Sequence, residues 1–144
     1  MIDLTQLILN YYGIANWNSG NKQIESMIAN YNSKVKNKIP LSSAWCAVML
    51  FNFCNYLKYD IGDANCWVGS WMTTGKEIQR EAAQMGDIVI IGDLINQTHI
   101  TTFVRWSNDG LFAYCLGGNQ HQQINIAPFA KTSVCKIIRL SKIN

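Results

Sequence analysis

The sequence predicts an α+β domain, with N-terminal helices packed on a C-terminal antiparallel sheet of about five strands. Three observations carry that reading. Apolar residues recur at helical spacing over the first 57 residues. The second half changes to short runs rich in β-branched and aromatic residues. Turn signals separate those runs, and helices followed by a meander of strands is the pattern of an α+β fold.

Taken in order, Leu4, Leu7, Ile8 and Tyr11 lie on one face of a first helix that Gly13 ends. Asn18-Ser19-Gly20-Asn21 reads as a turn, with Asn21 as N-cap of a helix through Ile24, Met27 and Ile28. Ser42 or Ser43 is expected to cap a third helix from about Ala44 to Leu57, apolar nearly all round and therefore buried. The strands expected are Asp87 to Ile91, His99 to Trp106, Leu111 to Leu116, Gln123 to Ile126 and Lys136 to Leu140, with Ser107-Asn108-Asp109-Gly110 as a hairpin turn.

The chain has 144 residues, enough for one domain over 1–144. With 49% apolar and 15% charged residues it is globular and not disordered. A net charge of +3 suits an anionic polymer but is too small and too scattered to indicate nucleic acid, and Lys34, Lys36 and Lys38 read as a solvated loop. Met1 to Gln6 has neither the basic nor the apolar region of a secretory leader, so synthesis in the cytoplasm is expected, with delivery by another system or by lysis. The most apolar run, Ala44 to Leu57, is too short for a membrane span and holds Asn52 and Asn55. The five cysteines include no CxxC pair, and the odd count leaves at least one thiol unpaired; a reduced protein is the simpler expectation.

Cys46 falls in the first turn of the apolar helix. Free backbone amides and the positive helix end stabilise a thiolate there and can face an oxyanion. Against this stands the usual state of a free cysteine, a small core hydrophobe, which is how Cys54, Cys66, Cys115 and Cys135 read. A thiol nucleophile needs a base, and the chain has two histidines. His99 opens a strand after the polar loop Asn96-Gln97-Thr98, whereas His121 lies in a polar, exposed run, so His99 is preferred. Asn119, after Gly117-Gly118, is placed to orient the imidazole, with Asp87 as a weaker candidate that suits the Gly86-Asp87 turn better.

Five pieces in this order resemble a known family: Trp45-Cys46-Ala47, Ser70-Trp71 with Gly75, Gly86-Asp87-Ile88-Val89, His99-Ile100, and Leu116-Gly117-Gly118-Asn119-Gln120. They are similar to the CHAP group of cysteine, histidine-dependent amidohydrolases/peptidases, relatives of the NlpC-type and papain-like hydrolases. Ser19-Gly20-Asn21 ahead of a helix also fits, so the resemblance spans roughly residues 1 to 140. It implies a papain-like fold, Cys46 as nucleophile, His99 as base and Asn119 as its orienting partner. Trp45, Trp71 and Gln120 are implied near the substrate cleft, although tryptophans of this size serve equally as core. Many members carry Glu two residues before that Asn; here the place is Gly117. The implied partner is the stem peptide of bacterial peptidoglycan, cut without metal or organic cofactor by a monomer that binds neither nucleic acid nor membrane. Other acyl-transfer chemistry on proteins (a deamidase or transglutaminase-like enzyme) and a non-catalytic module on the same fold are the alternatives.

Overall fold

The computed structural model describes residues 3–144; Met1 and Ile2, the first residues of the stretch read as lacking a leader, lie outside them. The architecture is α+β. Three helices, α1 (Leu4–Leu9), α2 (Asn21–Asn32) and α3 (Cys46–Tyr56), accompany six strands: β1 (Lys76–Glu77), β2 (Ile88–Gly92), β3 (Gln97–Trp106), β4 (Phe112–Gln120), β5 (Gln123–Ala130) and β6 (Val134–Arg139). The strands form one open antiparallel sheet in the order β1-β6-β2-β3-β4-β5. The sixth strand is β1, a two-residue edge piece whose exposed Lys76 and Glu77 carry no apolar alternation to betray it.

Helix α1 begins with a reciprocal cap. The Asp3 carboxylate accepts the Gln6 amide N–H at 2.9 Å, and the Gln6 side chain accepts the Asp3 N–H at 3.3 Å. Asn21 is the first helical residue of α2 and not its cap; Gly20 takes that place. Its neighbour Asn18 uses its side chain on the loop instead, accepting from Ala15 and Gly20 and donating to the Gly13 carbonyl. The same loop bonds to the outer edge of the sheet: Gly13 N–H donates to Ile124 O, Ile124 N–H to Ile14 O, and Asn16 N–H to Gln122 O. The start of that edge strand is thereby covered rather than open.

Helix α3 starts two residues later than the cap reading places it. Ser43 N–H closes a turn on Pro40 O, and the first intrahelical bond is Met49 N–H to Trp45 O. Trp45 is the N-cap and offers no side-chain acceptor, so neither Ser42 nor Ser43 caps the helix. Every residue from Cys46 to Cys54 is buried. Each large apolar side chain so buried contributes roughly 1.5–3 kcal/mol.

The sheet separates two apolar clusters. Ile88, Ile90, Ile100, Leu116 and Ile138 face the helices. Val89, Ile91, Phe103, Cys115 and Ile137 form the cluster on the other side. That is why β2 reads as an unbroken apolar run: alternate residues enter different cores. At the start of β2, Asp87 accepts two hydrogen bonds from the Arg139 guanidinium, both at 2.8 Å, and one from the Gln84 N–H. These bonds clamp β2 to β6 and to the preceding turn. No helix of the described residues is long and apolar enough to cross a membrane.

Candidate active site

Cys46 occupies the first helical position of α3 and is 5% exposed. With the first intrahelical bond made by Met49, the N–H groups of Cys46, Ala47 and Val48 have no partner within the helix. Burial pushes the Cys46 thiol up, while the backbone N–H groups of Ile100, Ala47 and Cys46 itself pull it back. The Cys54 and Cys115 thiols, with no amide beside them, are pushed up to about 12 by burial. All five cysteines are free, and backbone amides act on the thiol at Cys46 but not at Cys54, Cys115 or Cys135.

The Ile100 amide reaches the sulfur because of a break in the sheet. Phe103 N–H donates to Asp87 O on the β2 side. Alternation therefore turns the N–H of Ile100 toward β4. The β3–β4 ladder ends at Thr102 opposite Leu116, and β4 is irregular from Gly117 to Gln120. Ile100 N–H is thus left without a strand partner, and it is the backbone amide that does most to pull the Cys46 thiol back down.

The break itself has a local cause. Asn119 adopts a left-handed backbone (φ 58°), and His121 and Gln122 do so too (φ 54° and 61°). The last two form a two-residue hairpin turn between Gln120 and Gln123, with the positive φ values of type I′. Gly118 lies under α3: a Cβ there would stand 2.6 Å from the Trp45 ring and 3.0 Å from Met49 Sδ. Gly117 faces the other way, where a Cβ would meet Thr101 Oγ1. The pair of glycines lets β4 close on a helix and a neighbouring strand at once. Leu116-Gly117-Gly118-Asn119-Gln120 is therefore strand and bulge, not the turn its composition suggests.

His99 lies opposite Ile91 in the β2–β3 register and shares its face with Thr101, while Ile100 faces α3. The imidazole is half-buried and stacked on Phe129, with ring centroids 5.4 Å apart. Its Nε2 lies 3.2 Å from Gln120 Oε1. The surroundings of Gln120 settle which way that bond runs. The Gln120 amide nitrogen faces the carbonyls of Cys115 and Asn125, at 3.1 and 2.9 Å, which can only accept. Its oxygen therefore faces His99 and also accepts the Thr101 hydroxyl at 2.6 Å. The neutral imidazole consequently carries its proton on Nε2 and presents Nδ1 as a lone pair. Burial holds the His99 imidazole below its ordinary value of 6.5, partly offset by the Gln120 bond.

The sequence-derived residues thus fall into three groups. Cys46 and His99 come to neighbouring residues of β3 from opposite faces of the sheet: the sulfur lies on the α3 side at Ile100, and the imidazole leaves His99 on the other side, stacked on Phe129. No hydrogen bond joins thiol to imidazole. Gln120, read from the sequence as part of the cleft, makes the contact to His99 that was assigned to Asn119; the Asn119 side chain makes no hydrogen bond among the described residues and lines a neighbouring cavity. Trp45 is 2% exposed, packs on Gly118 and borders the same cavity, whereas Trp71 is fully buried, its indole N–H on Asn65 O. His121 is exposed in the hairpin turn. Thr101 escaped the sequence reading because an alternating β-branched residue gives no sign of which hydroxyl is used. Among the described residues no cluster of three His, Cys, Asp or Glu side chains could hold a metal ion.

Comparison of the chain with protein-family models, with curated proteins and with solved structures finds no match. The site's reading therefore stands on its own geometry: a thiol at the start of a helix, free amides around it, and an imidazole of fixed tautomer at the adjacent strand residue.

Proposed function

We propose that this chain is a papain-like cysteine amidohydrolase/peptidase that cleaves an amide bond in the peptide part of bacterial peptidoglycan. The observation that carries the reading is the Cys46 sulfur at the start of α3, ringed by backbone amides that include Ile100, with His99, whose Nε2–H is committed to Gln120, as the residue before Ile100. That commitment leaves Nδ1 to accept a proton, the atom a base needs free. The resemblance of the Cys46, His99 and Gly117-Gly118-Asn119-Gln120 segments to the CHAP group supplies the substrate class.

The reaction runs in two halves. The Cys46 proton passes to His99 Nδ1 as the sulfur attacks the amide carbonyl, and the uncoupled amides at the start of α3 receive the oxyanion. The imidazolium then gives its proton to the leaving amine as the C–N bond breaks. Water attacks the thioester, its proton goes to Nδ1, and the departing sulfur recovers a proton from the imidazolium. Burial favours the uncharged form of both groups, so both rest neutral; the imidazole leaves β3 on the face away from α3, and the reaction requires it to turn to the sulfur when substrate binds. Gln120 holds the ring through an amide oxygen and lends the imidazolium less support than a carboxylate would.

Digestion of purified peptidoglycan followed by mass analysis of the muropeptides tests this. The wild type is expected to release new amine and carboxyl ends, and Cys46→Ala to lose at least about 10³-fold in rate while folding normally. Equal activity of the two would remove Cys46 from the mechanism.

The raised thiol and the missing thiol–imidazole bond favour a second reading, a binding module that keeps the fold without the chemistry. Alkylation by iodoacetamide across pH separates the two. A Cys46 that reacts only near and above the ordinary thiol value of about 8.5 even with peptidoglycan fragments present belongs to the second.

A further inference from the structure

Beside the start of α3 lies a cavity of about 510 Å³, bordered by Trp45 from the cap of that helix and by Asn119 from the β4 bulge. Its wall contains a directed chain of hydrogen bonds. The Trp45 indole N–H donates to Asn16 Oδ1 at 2.9 Å, the Asn16 amide nitrogen to Asn21 Oδ1 at 3.2 Å, and the Asn21 amide nitrogen to Glu25 Oε1 at 3.1 Å. An indole can only donate and a carboxylate can only accept, so both intervening amides are fixed in orientation.

Glu25 is the single charged side chain in the lining. It is half-buried, and the ion pairs among the described residues, Lys136–Glu77 and Arg139–Asp87, do not include it. Lys22, three residues earlier on α2, is exposed and makes no ion pair with it. One donor from Asn21 leaves the remaining acceptor positions of the carboxylate open toward the cavity's contents. A lone carboxylate in an otherwise neutral polar cavity selects a cation, and an ammonium with three donors suits it.

We infer that this cavity binds the free ammonium of the substrate, with Glu25 as the specificity-determining residue, so that the preferred substrate is a peptide carrying an unacylated amine such as that of a diamino acid. The inference rests on the hydrolase reading of Cys46. Trp45 directly precedes Cys46 and Asn119 directly precedes Gln120, so a ligand in the cavity touches both segments that carry the candidate catalytic groups. The chain from the Trp45 indole also ties the position of the carboxylate to the start of α3.

The probes are N-acetyl-L-Ala-γ-D-Glu-L-Lys-D-Ala, whose one free amine is the lysine ε-amine, and the same peptide acetylated on that amine as well. Calorimetry on Cys46→Ala reads binding, and steady-state kinetics on the active protein read turnover. The free amine is expected to bind about tenfold tighter than the acetylated peptide, a gap that narrows with salt. Glu25→Gln keeps the acceptor for Asn21 but loses the charge; it is expected to erase that gap, raising KM for the amine peptide with kcat unchanged. Equal affinity for the two peptides, equal weakening of both by Glu25→Gln, or no binding of either overturns the inference. Hydrolysis without amine preference would sink this inference and leave the hydrolase reading standing. Amine preference without hydrolysis would do the reverse.

Discussion

At the start of β2, Asp87 is 4% exposed and its carboxylate is saturated by Arg139 and the Gln84 amide. Near the other end of the same strand, opposite Ile91, His99 is held by Gln120, itself 4% exposed and saturated by Thr101, Cys115 and Asn125. Both clusters obey the rule that buried polar groups find partners. They differ in what is left over. The Asp87 cluster closes on itself and joins β2 to β6. The Gln120 cluster ends on an imidazole whose Nδ1 has no partner among the described residues, one residue along β3 from the Ile100 amide that Cys46 meets. One is a clamp; the other is a support with one valence facing outward. The difference teaches that burial and charge do not by themselves mark the cluster with a binding valence left open. The charged cluster joins two strands, and the neutral amide network fixes the tautomer of an imidazole, the candidate base.

The largest effect that would sharpen this contrast is expected at Gln120. Gln120→Leu removes the acceptor that holds His99 Nε2–H and frees the tautomer. Peptidoglycan hydrolysis should fall roughly 100-fold, the scale for losing an orienting group of a catalytic base. The same change orphans the Thr101 hydroxyl and the carbonyls of Cys115 and Asn125, so denaturant unfolding should show a loss of about 2 kcal/mol. If the activity of folded Gln120→Leu matches that of wild type, the imidazole needs no such support and the two clusters are equivalent.

The complementary experiment is Asp87→Ala. It is expected to cost about 2 kcal/mol, a drop in Tm of roughly 6 °C, with kcat/KM of the folded protein within about twofold of wild type. Arg139 is part-exposed and can return to solvent, which keeps the cost below that of stranding a buried charge. A large fall in kcat with Tm unchanged would reverse the assignment of clamp and support.

A smaller but more diagnostic effect lies in pH. Hydrolysis needs the neutral imidazole. Burial lowers the His99 value, so the acid limb of kcat/KM should fall below 6.5. Stability follows the same sign. The folded value lies below the unfolded one, the unfolded chain takes the proton more readily, and stability present above about 6.5 is lost as pH falls through the folded value. In Gln120→Leu the bond that raises the imidazole is gone and apolar surface is added, so the limb of its residual activity should move lower still. A limb above 6.5 in wild type would indicate an ion-paired resting site in place of the neutral one.

Much of this arrangement is visible in the chain and some is not. The apolar run from Ala44 to Leu57 announces a buried helix with Cys46 near its start, and β-branched runs announce β2 and β3. The position of Cys46 at the very first helical residue is not visible, because it depends on Pro40 to Ser43 closing a turn of their own. Gly117 to Gln120 misleads for a similar reason. Its composition is that of a turn, yet the glycines serve close packing against Trp45 and Thr101, and the true turn is His121-Gln122, a pair without the glycine that usually marks a two-residue hairpin turn. Since the bulge there adds a residue to one strand, it also decides whether Asn119 or Gln120 reaches His99. A one-residue change of register exchanges the faces of neighbours, and no local pattern records it.

The finest test of the support is Thr101→Val, which keeps the shape and deletes one donor. The Thr101 hydroxyl is fully buried and shares Gln120 Oε1 with the imidazole. Its loss should cost about 1 kcal/mol of stability and no more than about fivefold in activity, because Oε1 keeps its bond to His99. The informative reading is the direction of the acid limb. With one donor fewer, Oε1 is a stronger acceptor for the remaining N–H and favours the imidazolium, so the limb should move up, opposite to its movement in Gln120→Leu. Two neighbouring substitutions that shift one titration in opposite directions would be hard to attribute to general loosening of the fold. If both move the limb the same way, the hydrogen bond from His99 to Gln120 does not control the imidazole, and the Gln120 network is a second clamp like that around Asp87.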